Sequence, residues 1–332
     1  SDHPSCVMLK AEDWPGLEKS SALRRLQAEV KRRPGSSLTA NGGLFPARIE
    51  TCRDPQVARW LESVLHFLPV NQRPPGYNPL AQFGVDGTSV TVSVVDDGVG
   101  IPGDGGFYVT AANTVNGPLR GAAIGAQGHG HLNASIIAGT TPFGGLDPTG
   151  YNYGSGVAPK SHIVNIPLLR SGYTGTEADT CNDTVVTAGP NGVNGFVTNN
   201  SWGNGTNANA YDSLAAQYDG FVRDASAAGT IDPLVIVFSA GNQGASGLTR
   251  PKVAKNLISV AASENVRTEL SPAADHDNLQ DIADFSSRGL AADGRVKPDI
   301  TAPGAGVTGG RSGTDSLFGN IDTHHRWSEG TS

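Results

Sequence analysis

A run of apolar residues that ends in two carboxylates limits the possible folds of this chain most strongly. Residues 90–95 contain four valines in the pattern of a largely buried strand, and Asp96 and Asp97 follow directly, before a glycine-rich stretch. In open α/β sheets, ligands bind at the carboxyl ends of the strands. A carboxylate there is therefore a candidate site residue, and the alternative is a surface turn with solvated acids.

Two later motifs supply the other groups of a nucleophilic site. His129 stands between two glycines where a helix of small and apolar residues begins, and Ser332 follows Gly-Thr. The flanking glycines allow backbone and substrate to approach the imidazole closely. A serine hydroxyl becomes a good nucleophile when a base removes its proton and a third group orients that base. With Asp96, these residues supply the three groups in the chain order Asp, His, Ser.

Six short motifs, taken in order, resemble those of the subtilisin-like serine proteases, the subtilases. They are Val-Val-Asp-Asp-Gly-Val, Gly-His-Gly-His, Asn-Ser-Trp-Gly, Ser-Ala-Gly-Asn-Gln-Gly, Lys-Pro-Asp-Ile-Thr-Ala-Pro-Gly and Gly-Thr-Ser, between about residue 84 and residue 332. One such motif is weak evidence, whereas six in the same order are specific. The resemblance implies a serine endopeptidase that hydrolyses protein or peptide substrates through an acyl-enzyme intermediate.

The resemblance also implies a role for each catalytic residue. Ser332 is expected to be the nucleophile, His129 the general base and then acid, and Asp96 the carboxylate that orients the imidazole. Asp97 is the nearest rival of Asp96, which is preferred because the family motif places the carboxylate at the end of the strand. Asn242 follows another predicted buried strand and is expected to form the oxyanion hole with the backbone N–H of Ser332.

Two segments are expected, from the resemblance, to form the walls of the primary specificity pocket. They are Ser201, Trp202 and Gly203 on one side and Ser239, Ala240 and Gly241 on the other. No acidic residue lies in either segment. An apolar or bulky residue before the scissile bond is therefore expected rather than a basic one.

Alternating strands and helices from residue 151 onward predict an α/β fold with a mostly parallel central sheet and helices on both faces, as in subtilisin. The predicted strands are residues 163–169, 196–199, 234–238 and 257–262. A helix is predicted over residues 212–228, with Asp212 as its N-cap. The stretches from Asp97 to about residue 128 and from residue 268 to residue 295 are expected to be loops.

Residues 1–77 are predicted to be a separate helical extension, and residues 78–332 the subtilisin-like catalytic domain. Helical spacing at about residues 18–33 and 54–68 predicts two helices. The extension is either an accessory segment, which the absence of paired-strand signals favours, or the remnant of a pro-segment. In subtilases the nucleophile begins a long buried helix. The domain is therefore expected to be truncated at Ser332 and completed by a C-terminal companion chain or a missing segment.

Composition argues against two classes of partner. Residues 1–77 carry 11 basic and 8 acidic side chains, and the remaining residues carry 13 and 23, so the predicted catalytic domain is acidic. An acidic surface without a basic cluster argues against nucleic acid, and no apolar run approaches the roughly 20 residues that span a bilayer. One methionine and 44 glycines suit a secreted or extracellular hydrolase. In that compartment Cys6 and Cys52 could pair, which would leave Cys181 free.

No cofactor is expected to be required for the chemistry, and the metal ligands stay unassigned. Subtilases often bind structural calcium, and the oxygen-rich loop at residues 97–106 could supply ligands, without a diagnostic spacing. His129 and His131 raise a metal alternative, but two residues apart at a helix start they point to different faces.

Two other functions remain alternatives to an active endopeptidase. One is a catalytically impaired, subtilase-like peptide-binding protein. The other is a nucleotide-binding α/β protein, because glycines 98, 100 and 103 match the spacing of a dinucleotide-binding loop. Carboxylates precede those glycines and no helix signal follows them, which disfavours a bound pyrophosphate.

Overall fold

The computed structural model describes residues 85–100, 113–123, 128–140, 153–207, 209–267, 270, 276–312 and 319–332, together with two short strands near the N-terminus. The two predicted N-terminal helices, Cys6 and Cys52 lie outside these residues, whereas Cys181 is a buried free thiol. The described residues from 85 onward belong to one compact unit, Gly84–Gly145 with Asn152–Ser332.

The strands form one large sheet and several small ones. In chain order they are β1 (Thr39–Ala40), β2 (Ala47–Arg48), β3 (Thr91–Val95), β4 (Thr114–Asn116), β5 (His162–Ile166), β6 (Val197–Asn200), β7 (Asn204–Asn207), β8 (Val235–Ser239), β9 (Thr249–Arg250), β10 (Ile258–Ser263), β11 (Gly289–Leu290), β12 (Val296–Lys297), β13 (Ile300–Pro303), β14 (Val307–Gly310) and β15 (His325–Ser328). Four antiparallel pairs, β1 with β2, β7 with β9, β11 with β12 and β14 with β15, stand outside the large sheet.

The large sheet has seven strands in the order β13-β10-β8-β6-β3-β5-β4, and each neighbouring pair is parallel. Strand β3 is central, with β5 on one side and β6 on the other. After β5 the chain crosses to β6 on the other side of β3 and continues outward through β8, β10 and β13. The connections therefore lead away from β3 in opposite directions. Ligands of open α/β sheets bind at the carboxyl edge near such a divergence.

In the part of the chain that the structure describes, three helices cover both faces of the sheet: α1 (His129–Ala138), α2 (Glu177–Val186) and α3 (Ser213–Arg223). Successive strand residues point to opposite faces. Val92 of β3 packs in one apolar cluster with Ala134 of α1. Val95 packs in a second cluster with Val185 of α2 and Leu214 of α3. The predicted α/β class, with a parallel sheet and helices on both faces, is thereby confirmed.

Some elements differ from the sequence-based expectations. The α2 segment was not predicted because six of its ten residues are polar, although Thr176 and Asp179 form a reciprocal capping box at its start. Strand β4 lies within a stretch expected to be loop. Strand β5 ends at Ile166, because the following residue is proline, which lacks the N–H that pairing needs. The predicted helix over residues 212–228 ends earlier, at Arg223, with Asp212 as its N-cap.

Three aromatic rings fill the larger cluster beneath the carboxyl edge of β6 and β8. Phe238 is fully buried, and its ring centroid lies 5.0 Å from that of Trp202 and 5.2 Å from that of Tyr218. Both pairs are edge-on, the arrangement that suits the charge distribution of aromatic rings. Trp202 is therefore anchored in the core immediately after β6.

We expect Phe238→Ala to lower the free energy of unfolding by about 3–5 kcal/mol, because it leaves a cavity between two rings. Urea denaturation of the variant and the parent protein measures the difference. Ile231→Ala removes apolar atoms from a side chain that is 73% exposed, and this control should change stability by less than about 0.5 kcal/mol. Similar values for the two variants would contradict the packing described for Phe238.

Candidate active site

The carboxyl ends of the central strands bring the candidate residues to one edge of the sheet. Asp96 follows β3, Ser201 follows β6, and Gly241 lies just beyond β8. Thr331 reaches the same edge, because its hydroxyl accepts a hydrogen bond of 2.9 Å from the backbone N–H of Gly241. The predicted nucleophile, Ser332, is the next residue.

Asp96 and His129 form a directly hydrogen-bonded pair. The Asp96 carboxylate is fully buried, and its two oxygens lie 2.8 and 3.0 Å from His129 Nδ1. The same oxygens also accept hydrogen bonds from the backbone N–H of Asp97 (2.8 Å) and from Asn133 Nδ2 (3.0 Å). Because a carboxylate only accepts, Nδ1 carries the proton, and Nε2 is left as the basic nitrogen of the ring.

Asp97 contacts the helix backbone rather than the imidazole. Its Oδ1 accepts a hydrogen bond of 2.7 Å from the N–H of Gly130, and its Oδ2 accepts one of 3.4 Å from the N–H of His129. Gly128, at the start of α1, has no side chain to cap the helix. Asp97 therefore satisfies N–H groups of the first turn that have no intrahelical partner. Burial and the adjacent charge of Asp96 raise the pKa of Asp97.

The absence of a side chain at Gly130 allows α1 to begin directly against the end of β3. A Cβ atom at this position would lie 2.8 Å from Asp96 Cβ and 2.8 Å from the carbonyl oxygen of Gly98. Real Cβ atoms do not approach other heavy atoms so closely, so the helix would have to move. The distance between Asp96 and His129 depends on this contact.

Two further contacts bear on the dinucleotide alternative. The backbone N–H of Gly100 donates to His131 Nδ1 (3.1 Å), and that of Val99 donates to Asn165 Oδ1 (3.1 Å). A phosphate-binding loop needs such N–H groups to face its ligand. Here the fold itself uses these two donors, and His131 has a structural contact.

Asn242 is oriented by Thr331. The N–H and hydroxyl of Thr331 both donate to Asn242 Oδ1, at 3.0 and 2.9 Å, so Nδ2 remains the donor end of the amide. A Cβ atom placed on Gly330 would lie 3.4 Å from Asn242 Nδ2 and 3.7 Å from the backbone nitrogen of Ser332. The two nitrogen atoms thus lie near one position beside the predicted nucleophile.

The hydroxyl of Ser332 makes a long hydrogen bond of 3.4 Å to the carbonyl oxygen of Ser201. Within the described part of the chain it makes none to His129. The structure therefore joins Asp96 to His129 and places Ser332 beside Asn242, while the link between the two pairs stays a prediction.

The Subtilase family model matches residues 87–330 of the chain. The chain belongs to the subtilase family. Serine protease AprX of Bacillus subtilis (strain 168) is 30% identical over 231 residues, which are 68% of this chain and 48% of that protein. The chain thus spans about half the length of this relative.

Two solved structures are also similar to this chain. A cold-adapted subtilisin-like serine proteinase is 19% identical, with 80% of this chain and 75% of that chain covered and a TM-score of 0.48. Sphericase is 23% identical, with 74% and 73% covered and a TM-score of 0.48.

The two predicted pocket segments of this subtilase face a lysine that the sequence analysis did not consider. A Cβ atom placed on Gly203 would lie 2.9 Å from Lys252 Nζ, and one placed on Gly241 would lie 3.3 Å from it. The sequence-based expectation rested on the charges within the two segments. Lys252 was missed because it comes eleven positions after the second segment. Its one local signal is a cation between Pro251 and the apolar pair Val253 and Ala254.

Among the described residues, no group of three or more His, Cys, Asp or Glu side chains is arranged to hold a metal ion. No helix in this part of the subtilase has both the length and the apolar character that a membrane span requires. Structural calcium stays a prediction.

We expect Gly130→Ala to destabilise the subtilase by about 1–3 kcal/mol, because the added methyl group must push α1 away from β3. Chemical denaturation measures this change. Gly220→Ala is the matched control, since a Cβ atom at Gly220 in α3 meets nothing within 4 Å and alanine favours helices. A stable Gly130→Ala protein would contradict the close contact.

We expect the pKa of His129 to lie above 6.5. Burial lowers this pKa, but the hydrogen bond to Asp96 and the negative charges of Asp96 and Asp97 raise it by more. Proton NMR of the imidazole measures it, with His129→Gln to assign the resonance. Asp97→Asn should lower the midpoint, whereas Asp293→Asn in an exposed turn should not. A midpoint below 6.5 would contradict this balance.

The same shift has a consequence for stability. An imidazole whose pKa is higher in the folded state than in the unfolded state stabilises the fold, and this contribution is fully present when the pH is below the unfolded-state pKa. The contribution from His129 is therefore lost as the pH rises through its folded-state pKa.

Proposed function

We propose that this subtilase is a serine endopeptidase with Ser332 as its nucleophile. The observation that carries the proposal is the hydrogen bond between the buried Asp96 carboxylate and His129 Nδ1, which leaves Nε2 as a base. A base held in one tautomer beside a serine is the arrangement that activates a hydroxyl.

In the proposed reaction, His129 Nε2 takes the proton of Ser332 Oγ as this oxygen attacks the carbonyl carbon of the peptide. The imidazolium then gives the proton to the leaving amine, and an acyl-enzyme forms. Water, activated by the same base, hydrolyses the ester and releases the acid. Asp96 stabilises the imidazolium throughout, as the raised pKa of His129 indicates.

The proposed oxyanion hole consists of Asn242 Nδ2 and the backbone N–H of Ser332. The bonds from Thr331 to Asn242 Oδ1 fix the amide before substrate arrives. Donors fixed in advance need no reorganisation when negative charge develops on the carbonyl oxygen.

For attack, the Ser332 side chain has to turn from Ser201 toward His129. Its present hydrogen bond of 3.4 Å is longer than the usual O–H···O range of about 2.5–3.0 Å. A rotation about the Cα–Cβ bond therefore gives up little interaction energy.

Several sequence-based expectations accompany this proposal. They are an extracellular location, structural calcium, and an apolar or bulky residue before the scissile bond. Lys252 favours a different residue at that position.

A second candidate function is peptide binding without cleavage. The bond of Ser332 Oγ to Ser201, rather than to His129, is the observation that favours it. Such a protein would bind peptides in the same cleft but would not form an acyl-enzyme.

Labelling with a fluorophosphonate separates the two functions. We expect the full-length protein to be labelled at Ser332, as located by peptide mass spectrometry. Ser332→Ala and His129→Ala should abolish the labelling, whereas Ser213→Ala, which changes an exposed serine of α3, should not. Peptide binding with neither labelling nor hydrolysis would establish the second candidate instead.

Peptide hydrolysis tests the assigned roles. We expect His129→Ala to lower kcat at least about 10²- to 10⁴-fold, because proton transfer is lost. Asn242→Ala should lower kcat with little change in KM. A loss of about 10²- to 10³-fold is known from subtilisin for removal of one such donor. Retained activity in either variant would remove that residue from its role.

A further inference from the structure

Lys252 places an ammonium group between the two segments that flank Ser332. One segment provides the Ser201 carbonyl that accepts the bond from Ser332, and the other provides the Gly241 N–H that holds Thr331. Lys252 Nζ lies 2.9 and 3.3 Å from the positions that Cβ atoms would occupy on Gly203 and Gly241. Glycine at both positions leaves room for the ammonium group.

The Lys252 residue is buried, and its ammonium group makes no hydrogen bond or ion pair with any residue that the structure describes. Lys252 is 2% exposed. Lys297 is equally buried, at 3%, but its Nζ donates to the Leu257 carbonyl (3.0 Å) and to Asp299 (2.6 Å). Burial lowers the pKa of Lys252 to about 8, so the amine is still mostly protonated at neutral pH.

A second polar group without a partner lies beside Lys252. The hydroxyl of Thr249 is buried and has no hydrogen-bond partner among the described residues. It contacts the same point, the Cβ position of Gly203. The ammonium group and the hydroxyl thus both lie close to Gly203. A buried polar group that lacks a partner costs stability, which a ligand of opposite charge would offset.

We propose that Lys252 determines specificity and selects a glutamate or aspartate side chain before the scissile bond. This inference rests on the proposed endopeptidase function and on the two segments being the walls of its pocket. The substrate carboxylate accepts hydrogen bonds from the Lys252 ammonium and the Thr249 hydroxyl. Charge-assisted hydrogen bonds of this kind are roughly twice as strong as neutral ones.

The inference replaces the expectation of an apolar or bulky residue. That expectation followed from the lack of acids in the two wall segments, which disfavours a basic residue at this position but does not disfavour an acidic one. An apolar side chain in this pocket would leave the ammonium desolvated and unpaired, which is costly.

The first test measures cleavage by the full-length protein. Quenched peptides that differ only in Glu, Asp, Gln, Leu or Lys before the scissile bond are compared by kcat/KM. We expect Glu or Asp to be preferred over Gln by about 10- to 100-fold. Lys252→Met should remove this preference while cleavage after Leu is retained, and Lys252→Glu should favour Lys.

Lys255→Met is the matched control. Lys255 is exposed, three positions away, with its ammonium 4.6 Å from the ring centroid of Tyr211. Lys255→Met removes one positive charge from the same segment as Lys252→Met does. It should leave the ratio of cleavage after Glu to cleavage after Gln unchanged. Because Lys252→Met removes an unpaired buried charge, we expect it to unfold at the same urea concentration as the parent protein or higher.

The second test measures binding without catalysis. Ser332→Ala protein is titrated with the Glu and Gln peptides, and Lys252→Met is added to this background. We expect the Glu peptide to bind about 10- to 100-fold more tightly, and the second substitution to equalise the two.

The outcomes separate the two proposals. Cleavage with equal Glu and Gln rates, or a preference that Lys252→Met preserves, overturns the role of Lys252 and leaves the endopeptidase intact. Preferential Glu binding by Ser332→Ala protein, combined with no cleavage by the parent protein, overturns the endopeptidase and leaves the acid-binding subsite. A fall in stability of Lys252→Met without a change in peptide preference shows that the lysine is structural.

Discussion

The contact between the end of β3 and the start of α1 determines the geometry of the candidate site. Gly130 allows the helix to begin against Asp96, and Asp97 holds the first turn through its backbone N–H groups. The Asp96 carboxylate is completely buried, so it needs hydrogen bonds, and the His129 ring supplies one. The stability of this buried acid and the orientation of the imidazole therefore have the same cause.

The parallel sheet brings the second half of the site to this contact. Asn242 and Ser332 are 90 positions apart in the sequence. Asn242 lies just beyond β8, and Ser332 is brought near it because the preceding residue, Thr331, accepts a hydrogen bond from the N–H of Gly241. Thr331 also fixes Asn242, which couples the proposed nucleophile to the proposed oxyanion hole. A shift in either segment would thus change both groups together. The candidate site thus has two hydrogen-bonded parts, one formed by Asp96 and His129 and the other by Asn242 and Thr331.

The sequence allowed the prediction of those parts of the structure that local pattern specifies. The valine run predicted β3, and the chain order of motifs predicted that Asp96 and His129 would meet. Strand β5 ends three residues earlier than predicted, because the proline that follows Ile166 ends the pairing. The polar α2 was missed because its helical state depends on the capping box and on packing, not on an apolar stripe. The division at residue 77 stays a prediction, because almost all of that segment lies outside the described residues.

Lys252 shows why pocket chemistry is harder to predict than a triad. Its position depends on three segments that meet only in the folded chain, and no short motif contains all of them. Lys297 is the informative comparison, because both lysines are buried and, among the described residues, only Lys297 is paired. The Lys297 ammonium is neutralised by Asp299, whereas the Lys252 ammonium lies near Gly203 and Gly241 and makes no hydrogen bond in the described structure, although polar atoms of Thr249, Gln243 and Ser287 approach the same two glycines. The fold pairs Lys297 but, within the described part of the chain, leaves Lys252 unpaired, which costs stability. Such a cost is typical of positions where a ligand supplies the missing charge.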